Sequence, residues 1–182
     1  MRNDLNENNV SAAVALRDVL ADDLPIFYRH QSDPDANYMA AFTTKDPGNR
    51  VAFDRHWNRF LADSTITIKT IICDRLVVGC VLSYEDADLP EVSYWVGKEY
   101  WGRGIATAAL TSFLRQAMIT RPICARVAKD NHASRRVLEK CGFTMIGESR
   151  EFAYARGEEI DELLFELRTH ESDIVQHLAM RR

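Results

Sequence analysis

Two glycines in the middle of the chain, Gly102 and Gly104, have the type and spacing that most directly suggest chemistry. They separate a stretch that alternates like a β-strand, 92–96, from one that repeats like a helix, 106–118. The first backbone N–H groups of a helix have no partner inside it, and the helix dipole places positive charge at the same end. Because glycine also lets a ligand approach the main chain, the stretch 96–107 predicts a phosphate or pyrophosphate site.

Two common phosphate-binding patterns do not fit this stretch. A P-loop continues after its second glycine with Lys and then Ser or Thr, but Gly102 is followed by Arg103 and Gly104. A dinucleotide-binding turn ends on a third glycine, and Thr107 occupies that position. A different kind of phosphate cradle is therefore favoured.

Apolar periodicity predicts the elements that must position this cradle. The predicted strands are 14–17, 65–72, 76–84, 91–96, 123–127, 144–152 and 160–167. The predicted helices are one that starts near Asp22 or Asp23, 52–63, 106–118 and 131–141, whereas 31–49 and the acidic stretch 85–90 are expected to be loops. This order predicts a mixed α/β fold, α+β-like, with a central sheet of about six or seven strands and about four flanking helices. It is not the order of a doubly wound Rossmann unit.

Length and composition limit the domain organisation and the partners. A chain of 182 residues suits one domain, expected over 11–169, with a flexible tail at 1–10 and an extension at 170–182 whose pattern is compatible with a short helix. The net charge of -4 argues against a nucleic-acid partner held by bulk charge. No apolar run approaches the roughly 20 residues of a membrane span, and the polar N-terminus lacks a signal-peptide core. We therefore expect a cytoplasmic protein without membrane contact.

The cysteines and histidines show no metal-binding or disulfide pattern. Cys73, Cys80, Cys124 and Cys141 stand in apolar surroundings without a Cys-x-x-Cys spacing, so they are expected to be free thiols. The histidines have no ligand spacing either, and we expect no metal. His56 shares a helix face with apolar residues and is expected in the core or in a groove.

Residues 101–106, which read Trp-Gly-Arg-Gly-Ile-Ala, resemble the acyl-CoA loop of the GNAT acetyltransferases. That loop follows Gln/Arg-x-x-Gly-x-Gly/Ala and lies after a strand and before a helix. Trp101 departs from the first position of the pattern. An aromatic residue before Gly-Lys/Arg-Gly is usual in the RimJ/RimL-like branch, the ribosomal-protein N-terminal acetyltransferase-like enzymes, which the whole string 94–107 resembles.

A second block, 131–143, resembles another part of the same family. It reads Asn-His-Ala-Ser-Arg-Arg-Val-Leu-Glu-Lys-Cys-Gly-Phe and is similar to the GNAT block Asn-x-x-Ser … Glu-Lys-x-Gly-Phe. The two blocks occur in family order with a helix and a strand between them. Together they carry the resemblance across about 14–167.

The resemblance implies a GNAT fold in which acetyl-CoA, the co-substrate, lies where two parallel strands splay apart, here 91–96 and 123–127. The pyrophosphate would meet the backbone of the glycine stretch, and Arg103 could add a charged contact. Arg135 and Arg136 could approach the nucleotide, although a solvated helix face is the simpler expectation. The implied acyl-CoA contacts are Trp95, Val96, Trp101, Gly102, Arg103, Gly104, Ile105, Ala106, Thr107, Asn131 and Ser134.

The resemblance also implies roles in the transfer step. The backbone N–H of Val96 would stabilise the oxyanion that forms during attack. Leu138 stands where many GNAT enzymes carry a tyrosine that protonates the leaving thiolate, and leucine cannot do so. In the RimL-like branch a serine is the proposed donor, which makes Ser134 the candidate general acid or hydrogen-bond donor to the sulfur.

A base must take a proton from the attacking amine. We favour Glu91, which stands where the related branch has Glu-Ile-Gly-Tyr, and Glu148 and Glu151 are the alternatives. Strand alternation places Glu91, Ser93 and Trp95 on one face of the sheet.

The expected activity is therefore acetyl-CoA-dependent N-acetylation of a primary amine, in a polypeptide N-terminus or a small molecule. Without a cysteine placed as nucleophile, direct attack in a ternary complex is favoured over an acyl-enzyme. The acceptor site is expected to form from 31–59, and a homodimer remains open. The alternatives are a non-catalytic acyl-CoA-binding or sensing module of the same fold, and an enzyme that binds nucleotide phosphates.

Overall fold

The computed structural model of the chain describes residues 13–86, 89–117 and 121–168. The expected tail at 1–10 and extension at 170–182 lie outside these residues. The strands are β1 (Val14–Arg17), β2 (Thr67–Cys73), β3 (Leu76–Asp86), β4 (Leu89–Val96), β5 (Ile123–Ala128), β6 (Thr144–Ala153) and β7 (Glu158–Leu167). The helices are α1 (Leu24–Gln31), α2 (Pro34–Ala40), α3 (Arg50–Ala62), α4 (Ile105–Gln116) and α5 (His132–Lys140).

The seven strands form one mixed sheet in the order β1-β2-β3-β4-β5-β7-β6. The first four strands pair antiparallel in sequence order, and β5, β7 and β6 form a second antiparallel group. The two groups meet where β4 and β5 run parallel. This architecture confirms the predicted fold class, sheet size and splayed parallel pair.

Helices cover both faces of the sheet. On one face α4 and α5 pack on the larger core, in which Ile105, Leu110 and Phe113 are fully buried. On the other face α1 and α3 form a second core with Phe27 and Trp57. Burying a side chain of this size contributes about 1.5–3 kcal/mol relative to leaving it exposed, so the helices are fixed mainly by these apolar faces.

The helix α2 corrects the sequence prediction, which placed a loop over 31–49. The Asp33-Pro34 pair suggested a turn, but the same pair also suits a helix start. The Asp33 carboxylate accepts a hydrogen bond from the Ala36 N–H at 2.8 Å, and Pro34 occupies the first turn. Buried Asn37 then ties the helix to the backbone carbonyl of Gln31 at 2.6 Å.

Two further predictions need correction. The acidic stretch 85–90 is not a continuous loop, because β3 extends to Asp86 and β4 begins at Leu89. His56 is exposed and not in a core; its ring stacks on Phe60 with the centroids 4.0 Å apart. The buried face of α3 is narrower than the pattern suggested and carries Phe53 and Trp57.

Asp23 lies at the predicted start of α1, but its side chain makes no capping bond to that helix. Its buried carboxylate accepts hydrogen bonds from both terminal nitrogens of Arg17, at 2.6 and 2.7 Å, and from the Thr70 hydroxyl at 2.7 Å. Burial alone would raise the pKa of Asp23, but these hydrogen bonds and one from the Leu20 N–H outweigh it and hold the pKa below its ordinary value. The network joins β1, β2 and α1.

We predict that Asp23→Asn lowers the free energy of unfolding by about 1–3 kcal/mol at neutral pH, because it weakens charge-assisted hydrogen bonds in a buried site. A carboxyl group whose pKa is lowered in the folded state stabilises the protein at pH values above the ordinary carboxyl pKa. This contribution is lost as the pH falls through the folded-state pKa. Urea unfolding at several pH values should therefore show that the difference in free energy of unfolding between the native protein and Asp23→Asn becomes smaller at acidic pH. The exposed neighbour Asp22→Asn is the control, and an equal loss in both variants would contradict this account.

Candidate active site

The site begins where β4 and β5 separate. The two strands are joined by a single residue pair, Glu91 with Cys124, and diverge beyond it. A cleft of about 820 Å³ passes through this opening. A smaller cavity of about 70 Å³ lies within the gap, between β4, β5 and the start of α5, and is lined by residues that include Ser93, Arg126 and Ser134.

The backbone of β4 presents Val96 toward this gap. The Gly97 N–H donates to the Val78 carbonyl in β3 at 2.9 Å. Since alternate residues of an antiparallel strand turn their backbone groups to opposite neighbours, the N–H of Val96 points away from β3. It therefore faces the side from which β5 has diverged, as the predicted oxyanion donor requires.

The glycine stretch after β4 forms an open cradle. Gly102 and Gly104 have φ values of 76° and 74°, a conformation that glycine adopts without strain. A Cβ added at either position would meet no atom within 4 Å, so neither glycine is required for tight packing. The first helical hydrogen bond of α4 runs from the Ala108 N–H to the Gly104 carbonyl at 3.0 Å, and the residues before Ala108, whose N–H groups have no partner inside the helix, line the cleft.

Trp101 fastens this cradle to the end of β4. Its indole N–H donates to the Val96 carbonyl at 2.8 Å, and its ring lines the cleft. The guanidinium of Arg103 lies over the Tyr100 ring, 5.6 Å from the centroid. The aromatic residue that departs from the general GNAT pattern therefore has a direct structural role in this loop.

Positive charge is concentrated on the cradle side of the cleft. Arg103, Arg136 and Lys140 line it together with the start of α4. Arg135 instead pairs with Glu139 at 2.8 Å on the exposed face of α5. The open glycine backbone, the helix N-terminus and these cations suit the phosphates of an acyl-CoA, so the residues present fit the predicted co-substrate.

Asn131 and Ser134 begin α5 at the edge of the gap. The Asn131 side chain accepts a hydrogen bond from the Ser134 N–H at 3.0 Å and so caps the N-terminus of α5. Its amide also donates to the Met39 carbonyl at 3.0 Å and links α5 to α2. The Ser134 hydroxyl lies 2.7 Å from the hydroxyl of Tyr94. Leu138 is buried in the larger core.

The opposite side of the cleft is rich in carboxylates. Glu91 is buried; one carboxylate oxygen accepts a hydrogen bond from the Tyr84 hydroxyl at 2.8 Å, and the other forms an ion pair with Arg126, 3.1 Å from its Nε. Arg126 also pairs with Asp86. Both oxygens of the predicted base are therefore engaged within the protein.

Glu162 in β7 is a second buried carboxylate on this side, and sequence reasoning missed it. It lines the cleft and accepts a hydrogen bond from the Ser149 hydroxyl at 3.0 Å. Burial raises the pKa of Glu162, although Ser149 and Arg126 act in the opposite direction. A carboxyl group in a cleft with a raised pKa is a common property of catalytic acids and bases.

The structure brings all the predicted site residues to the wall of the same cleft. They are Glu91, Trp95, Val96, Trp101, Gly102, Arg103, Gly104, Ile105, Ala106, Thr107, Asn131 and Ser134. Of the alternative bases, Glu151 lines the cleft, whereas Glu148 pairs with Lys129 at 2.7 Å on the exposed surface. Residues of α2 and the segment after it, including Met39 and Thr43, also line the cleft.

Metal-binding clusters and membrane-spanning helices are both absent from the described residues. No group of three or more His, Cys, Asp or Glu side chains in this part of the chain could hold a metal ion. None of the helices described here is long and apolar enough to cross a membrane.

Comparison with protein families identifies the class. The family described as acetyltransferase (GNAT) domain matches residues 14–144. The chain therefore belongs to the GNAT acetyltransferase family, as the two sequence blocks predicted.

Individual relatives support the predicted branch. The chain is 32% identical over 120 residues to the putative ribosomal N-acetyltransferase YdaF of Bacillus subtilis; the match covers 61% of this chain and spans 64% of that protein's length. The structure of Mycobacterium smegmatis RimJ in complex with CoA-disulfide is similar with a TM-score of 0.73 and 25% identity, over 87% of this chain and 83% of that one. Both are consistent with a RimJ/RimL-like protein.

A third similarity concerns the fold alone. The spermidine N-acetyltransferase from Vibrio cholerae, in complex with CoA and spermine, has a TM-score of 0.72 and 16% identity. The alignment covers 85% of this chain and 95% of that one.

We predict that Gly104→Ala weakens acetyl-CoA binding about tenfold, because a side chain in the left-handed conformation costs about 1–2 kcal/mol and the cradle would relax away from its binding shape. Isothermal titration calorimetry measures the affinity. Gly157→Ala is a matched control, since Gly157 also has a positive φ, of 71°, and open space at its Cβ position. Equal acetyl-CoA affinity in the two variants would argue against the cradle.

Proposed function

We propose that the chain is an acetyl-CoA-dependent N-acetyltransferase that moves an acetyl group to a primary amine. One observation carries the proposal: the cleft between β4 and β5 has a positively charged backbone cradle on one side and buried carboxylates on the other. The first side suits a pyrophosphate, and the second suits a cationic amine. The gap between them would hold the thioester within reach of the amine.

Direct attack in a ternary complex is favoured. No cysteine lines the cleft in the part of the chain that the structure describes, which supports direct transfer over an acyl-enzyme. Acetyl-CoA supplies the activated acyl group as a thioester. The N–H of Val96 would donate to the oxygen that becomes negative during attack, and the Ser134 hydroxyl would donate to the departing sulfur.

We propose Glu162 as the base that takes the proton from the attacking amine, in preference to Glu91. One oxygen of Glu91 already accepts a hydrogen bond from Tyr84, and the other is ion-paired with Arg126. Glu162 has a single side-chain donor, Ser149, and burial favours its protonated form. Glu91 would then hold Arg126 in place, and Arg126 would keep the neighbouring carboxylates from repelling one another.

The acceptor side favours a positively charged amine. Among the described residues on this side, the carboxylates outnumber the one cation, Arg126; they are Asp86, Glu91, Glu151 and Glu162. A polypeptide N-terminus and a small polyamine both satisfy this charge. The relatives carry names of both kinds, a putative ribosomal N-acetyltransferase and a spermidine N-acetyltransferase.

We predict that Glu162→Gln lowers kcat/KM by about 100-fold or more near neutral pH, within the usual contribution of a general base. A base acts only when deprotonated, so in the native protein the rate should fall as the pH falls through the raised pKa of Glu162. This acid limb should vanish in the variant, because glutamine does not titrate. The measurement is the pH profile of kcat/KM for a saturating co-substrate and a limiting amine.

Two variants give this test its controls. Glu159→Gln, at an exposed position of the same strand, should leave the profile unchanged. Glu91→Gln should lower the rate but keep the acid limb. If Glu91→Gln removes the limb and Glu162→Gln does not, the base is Glu91 as the sequence first suggested.

The activity itself is tested with acetyl-CoA and a panel of peptides with Ser, Thr or Ala N-termini, diamines, polyamines and aminoglycosides. Release of CoA that depends on the amine, together with an acetylated product detected by mass spectrometry, is expected. Tight acetyl-CoA binding without transfer to any member would favour the sensing module instead. Stabilisation by ATP or NAD but not by CoA would contradict the family-based proposal.

A further inference from the structure

The hydroxyl of Tyr94 reaches from the strand β4 to the first turn of α5. Its oxygen lies 2.7 Å from the Ser134 hydroxyl oxygen and 3.2 Å from the Ser134 carbonyl oxygen. Both residues line the main cleft and the small cavity between the separated strands. The contact therefore lies at the place where the departing sulfur is expected.

Either hydroxyl can donate in this contact, and the surroundings of Tyr94 favour Tyr94 as the donor. Burial raises the pKa of Tyr94 to about 12, so its hydroxyl keeps its proton over the working pH range. Two oxygens of Ser134 lie within donating distance of the Tyr94 hydroxyl, the backbone carbonyl at 3.2 Å and the side-chain hydroxyl at 2.7 Å. The carbonyl keeps a free lone pair within the helix, but it is the more distant of the two, and the Ser134 N–H is already bonded to Asn131. The closest acceptor for the Tyr94 proton is the Ser134 hydroxyl oxygen.

A serine hydroxyl carries one proton and two lone pairs. When its oxygen accepts from Tyr94, its own proton remains for another acceptor, and the two hydrogen bonds polarise each other. Of the α5 residues on the cleft wall only Ser134 bears a hydroxyl; the others are Ala133, Arg136, Val137 and Lys140. Position 138, where many family members carry a tyrosine, is a buried leucine.

We propose that Tyr94 is a positioning residue that donates a hydrogen bond to the Ser134 oxygen and so directs the Ser134 proton toward the sulfur of the departing CoA thiolate. The inference rests on the proposed acetyl transfer. The amine nitrogen forms a bond to the acetyl carbonyl carbon, the carbon–sulfur bond breaks with sulfur keeping the electron pair, and the Ser134 hydroxyl donates a hydrogen bond to that sulfur. The amine proton goes to Glu162, Tyr94 keeps its own proton, and the thiolate takes a proton from water on release.

The test is a double-mutant cycle on kcat with Tyr94→Phe, Ser134→Ala and both together. Tyr94→Phe should lower kcat about tenfold, because it removes a hydrogen bond that strengthens as negative charge develops on the sulfur. The KM for acetyl-CoA should stay within about twofold of the native value. Ser134→Ala should cost at least as much, and the double variant should be no slower than Ser134→Ala alone. Tyr154→Phe, which removes an exposed hydroxyl outside the cleft, is the matched control and should behave as the native protein.

A binding measurement keeps the inference separate from the proposed activity. The affinity for CoA is compared with that for desulfo-CoA by calorimetry, which needs no acceptor amine. The ratio of the affinity for CoA to that for desulfo-CoA should fall to the same lower value in Tyr94→Phe and Ser134→Ala. Ser134→Thr keeps the hydroxyl and should retain the native ratio. Thermal unfolding confirms that each variant is folded.

Three results would overturn the inference. They are additive effects in the cycle, an effect of Tyr94→Phe on KM but not on kcat, and an unchanged CoA preference in Tyr94→Phe. If no amine is acetylated but the CoA preference behaves as described, the proposed activity fails while the hydroxyl contact stands.

Discussion

The site depends on the separation of β4 and β5 after their single pair, Glu91 with Cys124. Neighbouring strands usually satisfy each other's backbone groups, and a buried group left without a partner costs about 1–3 kcal/mol. Part of that cost is removed within the chain, since the Val96 carbonyl accepts the indole N–H of Trp101. The Val96 N–H faces the gap and is available to a ligand. An ordinary continuous sheet would have no cleft at this position.

The two sides of the cleft carry opposite charge. Arg103, Arg136, Lys140 and the N-terminus of α4 lie on one side, and the carboxylates around Arg126 lie on the other. Each side is assembled from distant parts of the chain, and the Asn131 amide joins α5 to α2 across the opening. A phosphate-bearing donor and a cationic acceptor would therefore enter from opposite sides and meet between the strands, where Tyr94 and Ser134 lie.

Much of the cradle side could be predicted from the sequence because its signals are local. Gly102, Gly104 and the helix after them lie within a few residues, and Asn131 caps its own helix. The fold class followed from periodicity for the same reason. The helix α2 could not be recognised in this way, since Asp33-Pro34 suits a turn and a helix start equally well and the buried contacts of Asn37 decide between them.

The carboxylate-rich side of the cleft was harder to predict because it depends on pairing across the sheet. Glu162 belongs to an acidic, alternating stretch that resembles a solvated strand face, and only the packing of the sheet buries it. The engagement of Glu91 by Arg126 joins residues from strands separated by the whole of α4. For the same reason Tyr94 was recognisable as part of a family motif but its contact with Ser134 was not.

The most direct test of the central claim is a crystal structure of the chain with acetyl-CoA. The account predicts that the pantetheine arm passes between β4 and β5, with the pyrophosphate on the N–H groups of Gly102 to Thr107 and the thioester carbonyl oxygen at the Val96 N–H. Binding on another surface, with the gap between the strands closed or filled by side chains, would contradict it.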